Sequence, residues 1–264
     1  MDAALFGLPT WVIVTGLFVA MLAANEIGFR MASRSALGES ERSLAASNML
    51  KGSALGLVAL LLGFSFSLTA GRHDMRRQVV LQEANAIGTC HLRAGLLNEP
   101  ECGRIRDILR RYVGERLDYF ESAIDDRLQP DEEAKLAALL NQLWEVVTEA
   151  RTQGDEVVRT SQIVPAANAV IDLNATREWA AVSHLPISIF MLLMVSTGIG
   201  SLLVGHSSGQ GGRRHVWLWL VTNSMFATVL FVVIDFDRPR RGLIRVDHGP
   251  LINLRDQLEV AETR

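Results

Sequence analysis

The sequence predicts an all-α membrane protein: four transmembrane helices, with a cytoplasmic helical bundle inserted between the second and third spans. Three observations predict it. First, 264 residues combine 49% hydrophobic with 21% charged side chains, too apolar for an ordinary soluble domain and too polar for a chain wholly in lipid. Second, four apolar runs, residues 9–24, 52–70, 185–205 and 216–236, approach the ~20 residues a helix needs to cross ~30 Å of hydrocarbon. Third, the charged segment between the second and third runs shows helical hydrophobic spacing, with no period-2 alternation or hairpin turn signal.

The first span is expected over about residues 9–26. Pro9 suits a first helical turn, where its missing N–H has no partner anyway. Asn25 and Glu26 are costly in lipid and mark the expected end, with Arg30 able to reach headgroups. This run reads as a retained helix. Asp2 precedes it, no Lys or Arg does, and no small-residue cleavage site follows, so a secretory signal is not expected.

The second span, residues 52–70, completes a first domain of residues 1–70. Gly52 and Gly56 form a GxxxG pair, and Ala59, Gly63, Ser67 and Ala70 extend the small-residue stripe. Close helix packing is the commonest use of such a stripe. The competing reading has Gly56, Gly63 and Ser67 lining a narrow path through an oligomer, with Phe64 and Phe66 as a hydrophobic constriction. Roughly 200° of helical rotation separates those two phenylalanines, so both cannot face one axis equally. No proline intervenes before Pro100, so the helix is expected to continue to about Leu97. It would carry Arg72, Arg76 and Arg77 as a basic collar at an inner pore mouth. Anchoring to anionic headgroups is the plainer use of such a collar.

Residues 71–184 form the expected cytoplasmic domain, in four helical pieces. After the break at Asn98 and Pro100, Ile105, Ile108, Leu109, Tyr112, Val113, Leu117, Phe120 and Ile124 recur at helical spacing. Arg104, Arg106, Arg110, Arg111 and Arg116 are assigned to the other faces. A third piece opens with Asp131, Glu132 and Glu133, which favour a helix N-terminus, and buries Leu136, Leu139, Leu140, Leu143 and Val147. The fourth is expected to break at Pro165. Residues 185–236 then hold the third and fourth spans, and 237–264 form a cytoplasmic tail. Glu83, Asn85, Asp237, Arg240 and Arg241 are expected to make polar contacts between helices, with Asp235 and Asp237 pairing with the collar.

With four spans, both termini and the bundle share one side. Arg72, Arg76, Arg77, Arg177, Arg238, Arg240, Arg241 and Arg245 slightly outnumber the basic residues opposite, which places that side in the cytoplasm. The first helix alone argues the reverse, because Arg30 and Arg34 follow it.

The chemical motifs of enzymes are missing from the sequence: no HExxH, Walker loop, nucleophile elbow or CxxC pair. "GIGSLL" lies inside an apolar span, where no dinucleotide loop forms. Cys90 and Cys102 read as free thiols, and six histidines are scattered, mostly at membrane borders. No catalytic residue, metal site or cofactor is expected, and a nucleic-acid partner is not expected either. The expected partners are the lipid bilayer, further copies of the chain in a homo-oligomer, and inorganic anions.

Four stretches sharpen this reading: "LLLGFSFSLTAGRHDMRRQVVLQEANAIGTCHLRAGLL", "AANAVIDLNATREWA", the third span, and "DRPRRGLIRVDHGPLINLRDQL". In them the sequence resembles the bacterial bestrophin-like membrane proteins, over most of the chain after Gly52. The resemblance implies an oligomeric, typically pentameric, anion channel of the chloride-conducting kind. It also implies four membrane helices, a cytoplasmic helical region, and a second membrane helix lining a hydrophobic neck. Residues 52–70 are the matching helix, with Phe64 and Phe66 neck candidates by position. No family neck or calcium-binding acidic cluster maps onto the chain residue by residue. A non-conducting membrane scaffold or sensor, whose bundle binds a protein partner, is the alternative.

Overall fold

The computed structural model describes residues 9–35, 41–124, 130–151, 157–238 and 242–262, and every regular element among them is an α-helix. In chain order these are α1 (Thr10–Ser35), α2 (Glu41–Ala94), α3 (Glu101–Ile124), α4 (Pro130–Arg151), α5 (Val157–Val182), α6 (Ile187–Gln210), α7 (Val216–Asp237) and α8 (Gly249–Glu262). Four stretches are long and apolar enough to cross a membrane: Thr10–Arg34, Ala45–Ala94, Ser161–Gln210 and Val216–Asp237. The 54 residues of α2 amount to about 80 Å of helix at 1.5 Å each, more than a single span of ~30 Å needs. The chain is an integral membrane protein, and it divides into two compact units whose boundary falls inside α2.

The first unit comprises Met1–His73 and His184–Ile244. Here α1 lies along α6 and α7, and it does not stop at Asn25 and Glu26 as expected. Nothing between Asn25 and Ser35 breaks a helix. Glu26 is paired one turn on with Arg30 at 2.7 Å and with Arg214 at 3.0 Å, and Asn25 is fully buried. The expected loop over residues 27–51 is therefore largely helix at both ends.

Glycine sets the α1–α6 spacing. A Cβ on Gly205 would fall 1.9 Å from the Asn25 carbonyl oxygen, and one on Gly28 would fall 2.0 Å from that of Leu202. One on Gly209 would meet Phe29 O at 2.5 Å. Backbones approach this closely only where side chains are absent. Gly205 and Gly209 are themselves a GxxxG pair, which is the signal that could have located this contact in the sequence. Alongside, Val58 and Leu62 of α2 join Leu193 of α6 and Leu230 and Val233 of α7 in a second apolar cluster.

The second unit comprises Asp74–Ser183 and Arg245–Arg264. Its core joins the stripes of α3 and α4 to Val80, Ala84, Ile87 and Ala94 of α2, and to Ile163, Ala167 and Val170 of α5. Burying each larger aliphatic side chain stabilises the fold by about 1.5–3 kcal/mol. That gain explains why α5 runs straight through Pro165, contrary to expectation. The proline forfeits one backbone hydrogen bond, while Ile163, Ala166 and Ala167 around it are locked in the core. The tail also behaves differently from its sequence reading: Val246, Leu251, Leu254 and Leu258 enter this core, so the segment from Arg245 onward folds as part of the bundle. Glu99 starts α3 by accepting the Gly103 N–H at 3.0 Å, which satisfies one orphan donor of the first turn.

Candidate ion pathway and a buried charge network

Two faces of α2 divide the membrane unit's second span. Val58, Leu62, Ser65 and Thr69, at steps of four, three and four residues, form the buried face. Ser65 donates to Leu61 O at 2.8 Å and Thr69 to Ser65 O at 3.0 Å, so the hydroxyls on this face are satisfied by their own helix. The candidate pore-lining residues occupy other faces. Gly56, Gly63, Phe64, Phe66 and Ser67 are exposed in the single chain, and a Cβ built on Gly52, Gly56 or Gly63 meets no atom within 4 Å. Among the described residues, nothing packs closely on the Gly52–Gly56 pair. The two phenylalanines separate as helical geometry requires: Phe66 lies 6.0 Å from the Phe236 ring, while Phe64 projects outward, 64% exposed.

The three arginines of the collar have three different environments. Arg72 is half-buried, and its Nη1 meets no acceptor among the described residues. Arg77 is exposed. Arg76 is buried, donating to Ala180 O at 3.0 Å and Ser183 O at 2.8 Å. It thus caps the carbonyl end of α5, where a cation also suits the helix dipole.

Among the described residues, the acids at the end of α7 are held by backbone N–H groups. Asp237 accepts the Leu185 N–H at 2.7 Å, and Asp235 accepts the N–H groups of Leu243 and Ile244 at 2.9 and 2.8 Å. Backbone donors hold them because Leu185, ahead of α6, and Leu243 and Ile244, beyond α7, would otherwise bury unpaired N–H groups. Arg240 and Arg241 lie outside the described residues. Asn85 and Thr89 are exposed on α2.

Glu83 is the centre of a network within the bundle. Its carboxylate is wholly buried and accepts from Tyr112 Oη at 2.8 Å, from Arg116 Nε at 3.1 Å, and from Arg177 Nη1. Arg116 Nη2 also donates to Asn174 Oδ1 at 2.6 Å, and Asn174 Nδ2 donates to Glu178 at 2.8 Å. The second Arg177 nitrogen, Nη2, lies 2.6 Å from His248 Nε2. A guanidinium can only donate, so His248 Nε2 is the acceptor and its proton sits on Nδ1. That proton points at Val246 O, 2.8 Å away, while the ring stacks on Phe120 at 3.5 Å.

Charge and burial explain the electrostatics. Two guanidiniums face one carboxylate, with Glu178 compensating through the Asn174 amide. Burial lowers the cationic tendency of Arg116, but Glu83 and the Tyr112 oxygen outweigh it and hold its pKa above the ordinary value. Tyr112 stays neutral because burial, and then Glu83, push its pKa up. For His248, burial and then the positive Arg177 push the pKa down to about 4, against the Val246 hydrogen bond. A histidine held neutral in the fold adds stability that is complete above its unfolded pKa of 6.5 and is lost as pH falls towards 4. The expected loss is about 1.4 kcal/mol per pH unit, read as a falling thermal midpoint between pH 6.5 and 5. His248→Gln should flatten that slope.

Chemically the network is a lock. Two guanidiniums and a phenol are all committed to Glu83, and the described residues contain no cluster of metal-ligating side chains. Sequence reading named Glu83 and missed its partners. Arg116, expected on an outer face, lies four residues after Tyr112 and so falls on the same buried stripe. Asn174 and Arg177, three residues apart, likewise share a face of α5.

A family model for the bestrophin-like domain matches residues 48–251. Among solved structures, one variant of a bacterial bestrophin homologue from Klebsiella pneumoniae aligns with a TM-score of 0.68 at 13% identity, over 97% of this chain and 99% of that one. A second variant gives 0.64 at 15%, over 94% and 100%. The homologue's structure solved by zinc phasing gives 0.61 at 15%, over 93% and 94%. At these identities the likeness is one of fold. No curated relative matches the chain.

Proposed function

Because the chain belongs to the bestrophin-like family, we propose that it works as an oligomeric, anion-conducting channel of the bacterial inner membrane, with its bundle in the cytoplasm. One observation carries this reading: Gly52, Gly56 and Gly63 form a stripe of α2 that no described residue of its own chain packs against, while the same helix buries Val58 and Leu62. Copies arranged about an axis parallel to α2 would each contribute that stripe, and Phe64 would supply a ring of apolar side chains at one level. Arg77, exposed below the stripe, would concentrate anions at the mouth.

The test is flux in liposomes and planar bilayers with ion substitution. Purified protein should pass chloride in preference to sodium, and Phe64→Ala should raise conductance severalfold by widening the constriction. Arg77→Glu should shift selectivity towards cations. Conductance no greater than that of empty liposomes would overturn the proposal. A monomer in mild detergent would favour the non-conducting scaffold, since one α2 cannot enclose a pore.

A further inference from the structure

Within the bundle, away from the Glu83 network, α2, the start of α3 and α8 surround an open cleft of about 460 Å³. That is the size of cavity that ordinarily takes a small molecule. His91, Arg106 and Arg110 line it, together with Leu92, Leu254 and Leu258. Two acids, Glu99 and Asp107, also border it, but both are engaged. Glu99 accepts the Gly103 N–H at 3.0 Å, and Asp107 pairs with Arg111 at 3.0 Å.

Arg106 is the exception. Its Nε is buried and meets no acceptor, and it forms no ion pair among the described residues. Its Nη2 lies 2.9 Å from where a Gly95 side chain would begin, so the guanidinium passes close over the turn that follows α2. A half-buried guanidinium with an unsatisfied donor is costly in an empty site. The planar fork also matches the oxygens of an oxyanion.

We propose that this cleft binds a small organic phosphate. Its phosphoryl oxygens would lie on Arg106 and Arg110, and its apolar body against Leu92, Leu254 and Leu258. Two guanidiniums, Arg106 and Arg110 one turn apart on α3, line the cleft, which suits the higher charge of a phosphate monoester better than that of a carboxylate. The leucines favour a substituted phosphate over the bare ion. The site is independent of conduction, so binding and flux can succeed or fail separately.

Calorimetric titration of the full-length protein in mild detergent tests the proposal, with phenyl phosphate, inorganic phosphate and benzoate as probes. Phenyl phosphate should bind most tightly, and benzoate about tenfold more weakly or worse. Arg106→Gln should weaken phenyl phosphate binding by about tenfold or more, with Arg106→Lys intermediate because it keeps the charge and loses the fork. Absence of binding by the wild-type chain would overturn the site, as would wild-type affinity in the glutamine variant. Equal affinity for benzoate would overturn the assignment to phosphate. If another copy of the chain fills the cleft in the assembled protein, all three probes fail and the proposal falls.

Discussion

Replacing Glu83 with glutamine is expected to lower the thermal midpoint of the detergent-solubilised protein by roughly 10 °C, from a loss of about 3–5 kcal/mol. The size follows from what remains. Glu83→Gln keeps the volume and one acceptor, but it leaves the Arg116 and Arg177 guanidiniums facing each other in a site where Arg116 is 2% exposed. A buried ion pair contributes little net stability over an apolar substitute, whereas removing one partner strands the other's charge without water. The consequence is checkable by a double variant: adding Arg116→Met to Glu83→Gln should recover part of the loss, because one stranded cation has gone. If the two losses simply add, the network is not a coupled unit. The effect should appear in the bundle, where Glu83 joins α2 to α3 and α5, and also in the tail, which His248 holds through Arg177.

How much of this was legible in the sequence depends on the range of the interaction. The α3 and α4 stripes were legible because helical periodicity is local: Ile105, Leu109 and Tyr112 in one, Leu136, Leu140 and Leu143 in the other, are buried as spaced. Glu83 stood out as a carboxylate amid apolar neighbours. Its partners did not, because Arg177 and His248 lie far along the chain and no short-range rule pairs them. The quoted stretches containing "EANAIGT", "NATREW" and "VDHGPL" each contribute a residue to one network, which gives their specific wording a physical meaning. The α5 proline and the extension of α1 past Glu26 were misjudged for a shared reason: a residue's local preference was outweighed by partners that only the fold supplies, the core around Pro165 and the arginines beside Glu26.

Gly205→Ala is expected to be as damaging as Glu83→Gln, by a different route. The added methyl would sit 1.9 Å from the Asn25 carbonyl oxygen and 2.6 Å from its Cα. A carbon–oxygen contact settles near about 3.3 Å, and these obstacles are backbone, so no side chain can swing aside. The α1 and α6 helices must part by more than ~1 Å, which also loosens the close approaches at Gly28 and Gly209. Overpacking of this kind costs about 1–3 kcal/mol and more where nothing relaxes. In a bilayer, moreover, no hydrophobic driving force restores the contact once van der Waals fit is lost. Gly56→Ala and Gly63→Ala are the matched comparison. No described residue lies within 4 Å of either new methyl, and alanine is the better helix former by about 1 kcal/mol, so the folded subunit should be unharmed or slightly more stable. Thermal midpoints of the three variants, measured beside their oligomeric state and conductance, separate the two glycine sets. Gly205→Ala should fail as a fold, while any effect of Gly56→Ala or Gly63→Ala should fall on assembly or conduction, as expected of residues that no described residue of their own chain packs against. If Gly63→Ala destabilised the subunit as Gly205→Ala does, that stripe would belong to the chain's own packing and α2 could not line a pathway with it.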